Sequence, residues 1–330
     1  MRPARRVSLA GMSEHNTENM SETYRGEALA WEADDLGHMN MRYYFERAEQ
    51  ARTQFLVKLH LTNISRADAL STLVPTQQHI HYYRELRPGQ GMVVSTGVLE
   101  WGETSLTLLH EISRCEPNGI DTVLSASLVE TLSHISTRTG AAFAWPKRVR
   151  WVAAEFSVNM PKTAQARHID VNENSDTSKR RPSMAGADIL GLPIIGRGAF
   201  LPEECDALGF VRASALIGRV SDSVQHLTSA WPDIDFASDD DMSGALLEAC
   251  ARHKNRPRAG DMYVVRSGVR GANTHVRELC HWILDPLSGE CWSSFIGVGC
   301  LFNLKTRRLV KADAPALDIL AHSVVKGLKP

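Results

Sequence analysis

The sequence lacks any apolar run approaching the ~18–20 residues that a membrane-spanning helix requires, so no such span is expected. Cysteine is scarce: Cys115, Cys205, Cys250, Cys280, Cys291 and Cys300 are all there are in 330 residues. None forms a C-x-x-C pair or falls at zinc-ligand spacing, which argues against a disulfide framework and a zinc motif. Free thiols in a reducing compartment, and hence a cytoplasmic location, are the expectation. Charge of one sign is missing too: the formal net charge is −1, so no overall field draws the chain to nucleic acid or to a membrane surface. G-x-S-x-G, P-loop and Rossmann fingerprints do not occur.

What is present is a chain too long for one comfortable core and of ordinary globular composition, 43% hydrophobic and 23% charged. Residues 1–22 read as a polar, basic leader too weakly apolar for a signal peptide. Beyond it the sequence repeats. Asp34-Asp35-Leu36-Gly37-His38 is matched by Asp206-Ala207-Leu208-Gly209-Phe210, about 172 residues later. Arg87-Pro88-Gly89-Gln90 is answered by Arg258-Ala259-Gly260-Asp261, and Glu116-Pro117-Asn118-Gly119 by Asp285-Pro286-Leu287-Ser288-Gly289. Landmarks in one order at nearly one offset predict two copies of one fold, residues 23–163 and 194–330. The polar stretch between them, 164–193, reads as a linker with a mobile core.

Within the first copy, Met41, Tyr44, Phe45, Ala48, Ala51, Phe55 and Leu59 recur at helical spacing, with Asn40 as a suitable N-cap. Strands are predicted near 27–31 and over 76–86, 92–101, 106–114 and 122–136. The second copy predicts a helix over about 212–231 and strands over 262–270, 274–284 and 291–304. Residues 243–253 are ambiguous: the repeat says strand, their composition says helix. One long helix followed by antiparallel strands is an α+β pattern, the sheet wrapped around the helix.

Chemistry concentrates in Asp34-Asp35-Leu36-Gly37-His38-Met39-Asn40, at a strand-to-helix junction. Free N–H groups at a helix start suit a developing oxyanion. Gly37 permits close approach of a substrate, Asp34 could attack or activate water, and His38 and Asn40 could donate hydrogen bonds. The same residues also suit an ordinary turn and helix cap, and composition alone does not choose.

Trp31 to Asn40, followed by Tyr44, Glu49, Ala51 and Arg52, resembles the 4-hydroxybenzoyl-CoA thioesterase-like family of hot-dog proteins. The likeness extends to the double hot-dog branch through Cys205–Gly209 and Ile217–Asp222. It implies a tandem double hot-dog that hydrolyses acyl thioesters, acyl-CoA in first place and acyl carrier protein as the alternative. A silent acyl-CoA binder is the rival from another class. Carried over, Asp34 is nucleophile or base, N–H groups near Gly37–Asn40 form the oxyanion site, and His38, Asn40 and Glu49 support it. Tyr44 and Phe45 would meet the acyl group, and Arg84, Arg138 and Arg307, beside Arg87 and Arg308, the coenzyme A phosphates. Coenzyme A enters only as part of the substrate; neither cofactor nor metal is implied. One chain would supply its own pseudo-dimer, with a homodimer of such units also open.

The second copy departs from this pattern. Phe210 and Arg212 stand where His38 and Asn40 do, so Asp206 is expected to be an ion pair and this half silent, with Arg212, Arg219 or Asp222 lining a shared pocket. His79 and His81 share a strand face, but no third metal ligand is evident nearby. His110, His134, Trp282 and Trp292 read as structural, and Asp239-Asp240-Asp241 as a solvated turn.

Overall fold

The computed structural model describes residues 18–117, 121–173, 178–223, 225–227, 242–306 and 308–330. The first half runs β1 (Ser21–Glu27), α1 (Met41–Lys58), β2 (Ser71–Tyr82), β3 (Gly91–Trp101), β4 (Ser105–Cys115) and β5 (Thr122–Ser136). Two short helices, α2 (Lys147–Ala154) and α3 (Met184–Ile189), follow. The second half repeats the order: β6 (Ile194–Ala199), α4 (Ala213–Ser221), β7 (Met242–His253), β8 (Met262–Ala272), β9 (Arg277–Leu284) and β10 (Cys291–Asn303). A short β11 (Arg308–Val310) and α5 (Ala314–Ser323) end it.

All named strands join one antiparallel sheet in the order β1-β3-β4-β5-β2-β7-β10-β9-β8-β6, with β11 added on β10. The order reads the same from either edge once the two halves are matched element for element. Its centre is the seam between β2 and β7, paired from Gln77↔Arg252 to His81↔Glu248. α1 and α4 lie together on the inner face. Phe45, Ala48 and Ala51 share one core with Ala215, Leu216 and Ile217, and with Ile80, Leu128, Ala249 and Phe295 of the sheet. The helices touch closely where Arg42 crosses Gly218, at which any Cβ would lie 2.9 Å from the Arg42 side chain.

Pairing decides the ambiguous segment in favour of a strand, because β7 has a partner on each side. The predicted second helix is shortened: α4 stops at Ser221, where the Ser223 hydroxyl donates to the Arg219 carbonyl and competes with the helix backbone. Residues 228–231 of that prediction, and Asp239–Asp241, lie outside the described residues. The first strand falls at 21–27 rather than 27–31, and a single 3₁₀ turn follows at Ala30–Glu32.

The linker, where described, is docked rather than mobile. Ala164 and Ile169 are buried on the outer face of the sheet. Arg252 of β7 donates to the carbonyls of Asp170, Val171 and Glu173, and Glu248 accepts the N–H groups of Arg167 and His168. A buried polar belt crosses the inner face. Thr96 bonds His110 at 2.9 Å, and His110 faces Glu130, which pairs with Arg52 and accepts from Gln78 at 2.7 Å. Gln78 in turn meets His253 at 3.1 Å across the seam. Burial opposes the Glu130 charge, yet Arg52 and His110 hold its carboxyl down to about 2.

Burial lowers His81, His253 and His281 to about 4. In the unfolded chain these rings protonate near ~6.5, so between those values the unfolded state binds more protons than the native one. Stability is therefore full above about pH 7 and is lost as the pH falls from ~6.5 towards about 4. Urea unfolding at a series of pH values should show that slope; a flat profile across the window contradicts the burial of these rings.

Candidate active site at the start of the first helix

Residues 33–40 form a tight loop between an Ala33↔Met39 bridge and α1. Asp34 organises it: its Oδ1 accepts the N–H groups of Leu36 and His38, both at 3.0 Å. Gly37 donates to the Asp34 carbonyl at 3.0 Å and has φ +74°, the left-handed conformation that favours glycine. A Cβ there would meet nothing within 4 Å, so backbone conformation, not close approach of a substrate, requires this glycine. Asn40 caps α1 by accepting from Arg42 N–H, and its Nδ2 donates to Ser221 Oγ of α4 at 2.7 Å.

This bonding corrects the expected oxyanion donors. The N–H groups of Gly37, His38, Met39 and Asn40 are taken by Asp34 O, Asp34 Oδ1, Leu86 O and Glu32 O respectively. Among the described residues, the first helix-terminal N–H without such a partner is that of Met41. Asn40 is likewise committed at both ends of its amide, which makes it a positioning residue.

Asp34 lines a cavity of about 600 Å³ together with His38, Tyr44, Tyr82, Leu246 and Phe302, so both halves contribute walls. Among the described residues no cation pairs with Asp34. Tyr44 meets Tyr82 edge to face at 5.1 Å. The buried Tyr82 hydroxyl has no partner among the described residues, and burial raises its pKa well above 10. His38 is half-buried, its Nε2 3.3 Å from Glu85 Oε2 and 3.3 Å from Arg87 Nη2.

The other predicted residues separate. Tyr44 and Arg84 belong to this cavity, Arg84 at its exposed rim. Phe45 does not: it is fully buried between helix and sheet, a core residue. Arg138 is exposed in the turn after β5 and lines none of the described cavities. Arg307 lies outside the described residues. Glu49 is on α1 but faces the other site. Its carboxylate accepts Ser214 N–H at 3.0 Å and Ser214 Oγ–H at 2.9 Å, at the first turn of α4. Burial raises its pKa, with Arg52 and Ser214 opposing.

The second loop copies the first. Asp206 Oδ1 accepts from Leu208 and Phe210 N–H, and Gly209 has φ +78°. Its Oδ2, however, is paired with Arg256 at 3.1 Å. The predicted ion pair is present with a different cation, since Arg212 donates to the carbonyls of Glu203 and Glu204. Phe210 lies between the guanidiniums of Arg256 and Arg258, 3.7 and 3.9 Å from its ring centre. Arg212 and Glu49 line the smaller cavity here, about 260 Å³, whereas Arg219 is paired with Glu204 and Asp222. No motif or spacing marks Arg256 as the partner, nor Glu130, Gln78 and His253 beneath the helices.

Solved structures that share this architecture over nearly the whole chain are thioesterases by description. One assigned as an oleoyl thioesterase of Lactobacillus plantarum is 13% identical, with TM-score 0.62, covering 85% of this chain and 96% of its own. An acyl-ACP thioesterase of Bacteroides thetaiotaomicron is 11% identical (TM-score 0.58; 86% and 98% covered). The 12:0-ACP thioesterase of Umbellularia californica is 10% identical (TM-score 0.61; 85% and 94%). At such identities the likeness shows a shared fold and no more. Residues 28–156 match the family model of the thioesterase-like superfamily. No curated protein sequence matches it significantly.

The Asn40 cap should be measurable. Asn40→Ala removes both the α1 cap and the bond to Ser221, and should lower unfolding free energy by about 1–2 kcal/mol in urea titrations. A change below about 0.3 kcal/mol would show that the amide does not hold the loop.

Proposed function

We propose that the chain is a tandem double hot-dog acyl-thioester hydrolase whose working site is the first-half cavity. The observation that carries this is the contrast between two matching loops. Asp206 is neutralised by Arg256, while Asp34 has no paired cation among the described residues and lines the larger cavity. The palindromic strand order supports two copies joined as an internal pseudo-dimer.

With Oδ1 held by two backbone N–H groups, Asp34 keeps Oδ2 for attack on the thioester carbonyl, or for taking a proton from an attacking water. The start of α1, with the Met41 N–H, polarises the carbonyl oxygen. The thiol leaving group has a pKa of ~8.5 and departs without a strong general acid. Acyl-CoA is the substrate class we favour, with Arg84 at the rim available to a phosphate. Hydrolysis of acyl groups on acyl carrier protein is the second reading, favoured by the names of two of the full-length structural relatives. No helix among the described residues is long and apolar enough to cross a membrane; a cytoplasmic setting remains our proposal.

Thiol release from a panel of acyl-CoAs and acyl carrier protein thioesters tests this. Asp34→Asn should reduce turnover at least ~100-fold, roughly 2.7 kcal/mol of transition-state stabilisation, and Asp206→Asn by no more than a few-fold. Equal losses in the two variants would overturn the assignment of a single working site. Binding of acyl-CoA without turnover in the unmodified chain would make it a silent binder.

A further inference from the structure

On the outer face of the sheet, away from the helices, three ligand-type side chains converge under the linker. His79 and His81 come from β2 of the first half and Glu248 from β7 of the second. All three are buried, and their ligand atoms lie within 4.8 Å of one another. His79 Nε2 is 2.8 Å from Glu248 Oε1, and His81 Nε2 is 3.7 Å from the same oxygen. His81 Nε2 is also 2.8 Å from the carbonyl oxygen of Gln165 in the linker. Two imidazole nitrogens and one carboxylate oxygen thus cluster together, with the Gln165 carbonyl oxygen in contact with one of the imidazoles.

We propose that His79, His81 and Glu248, with the Gln165 carbonyl, bind a divalent transition-metal ion of the zinc class across the seam between the two halves. A tetrahedral ion with bonds near 2.0–2.2 Å places its ligands roughly 3.3 Å apart, and the present separations bracket that value. Movements of a few tenths of an ångström suffice for the closest pairs. An N₂O₂ donor set suits zinc, cobalt or nickel better than magnesium or calcium, which prefer oxygen alone. Glu248 is pre-oriented: it also accepts Arg167 N–H at 3.2 Å and His168 N–H at 2.9 Å. The Arg167 guanidinium turns outward to the Tyr83 ring, 5.5 Å from its centre, and hydroxyl. Burial lowers His81 to about 4, which leaves its ring neutral and able to ligate at neutral pH. Without metal the same groups hydrogen-bond to one another, so the ion replaces contacts that would otherwise hold the linker down. It would join β2, β7 and the linker at one point and resist their separation.

The full chain, stripped with a chelator and dialysed, is titrated with Zn²⁺ and separately with Co²⁺. One equivalent should bind, raise Tm by several degrees, and give the visible absorption of tetrahedral Co²⁺. His81→Asn and Glu248→Gln should each weaken binding at least ~100-fold; the glutamine keeps one oxygen that can accept a linker N–H group. Thiol release at the Asp34 site should be unchanged in both variants, so the metal proposal and the thioesterase reading fail independently. Absence of a stoichiometric Co²⁺ spectrum or Tm shift in the unmodified chain overturns the proposal. So does equal binding by both variants.

Discussion

The antiparallel pairing of β2 with β7 is the constraint on which the rest depends. Each half has one inner-face helix, 18 residues in α1 and 9 in α4, and a sheet with apolar side chains on the same face. Joining the halves edge to edge places α1 against α4, so that both helices bury their apolar faces in one continuous core. The seam also removes two strand edges from solvent, edges that would otherwise remain open for pairing with other chains. It carries a buried polar belt as well. His253 of one half completes the hydrogen bonding of Gln78 in the other, and Gln78 supports the buried Glu130–Arg52 pair. Such pairs demand their partners: removing one leaves a charge uncompensated in a low-dielectric interior. The belt therefore specifies how the halves fit, beyond how strongly they adhere.

The same seam makes two cavities related by the repeat, and side chains then make them unlike. Both loops use an aspartate to fold a turn around a left-handed glycine, and in both Oδ1 is consumed by that task. What differs is the environment of Oδ2 and of the helix start. In the second half Arg256 takes the free oxygen, Glu49 occupies the first turn of α4, and Phe210 is held between two arginines. An anion at a helix start competes with any substrate oxygen for that position. In the first half Ser221 stands roughly where the repeat puts Glu49. It accepts from Asn40 and leaves the start of α1 without an acidic occupant.

How much of this the sequence could show follows from the range of each interaction. The α1 cap and the turn at Gly37 were legible because they depend on residues within about four positions of one another. Asp34 to Asn40 carried both the motif and its structural purpose. Phe45 was misjudged because adjacent helix positions point in different directions, and only the sheet decides which is inside. Glu49 could have been excluded from the first site by arithmetic: nine residues at 1.5 Å each place it roughly 13 Å from the helix start. Arg256 beside Asp206, Glu130 beneath Arg52, and Glu248 beside the two histidines were not legible. Each is brought in by tertiary structure that joins residues 50 or more positions apart.

The linker shows how such long-range partners alter a local reading. Its composition, polar and poor in large apolar groups, is that of a chain unable to build a core of its own. It does not need one, because it borrows order from β7: Arg252 binds three of its carbonyls and Glu248 two of its N–H groups. Both side chains are buried only because the linker covers them, and the linker is ordered only because they bind it. The dependence is mutual, so the segment's order is a property of the folded sheet, and no window of its own sequence contains it. The same reasoning applies to the loop of the candidate site, whose Met39 N–H is held by Leu86 beyond β2 and whose Asn40 is held by α4. A loop anchored at both of these places keeps Asp34 in one geometry, the condition under which a carboxylate can act on a bound substrate rather than merely fold a turn.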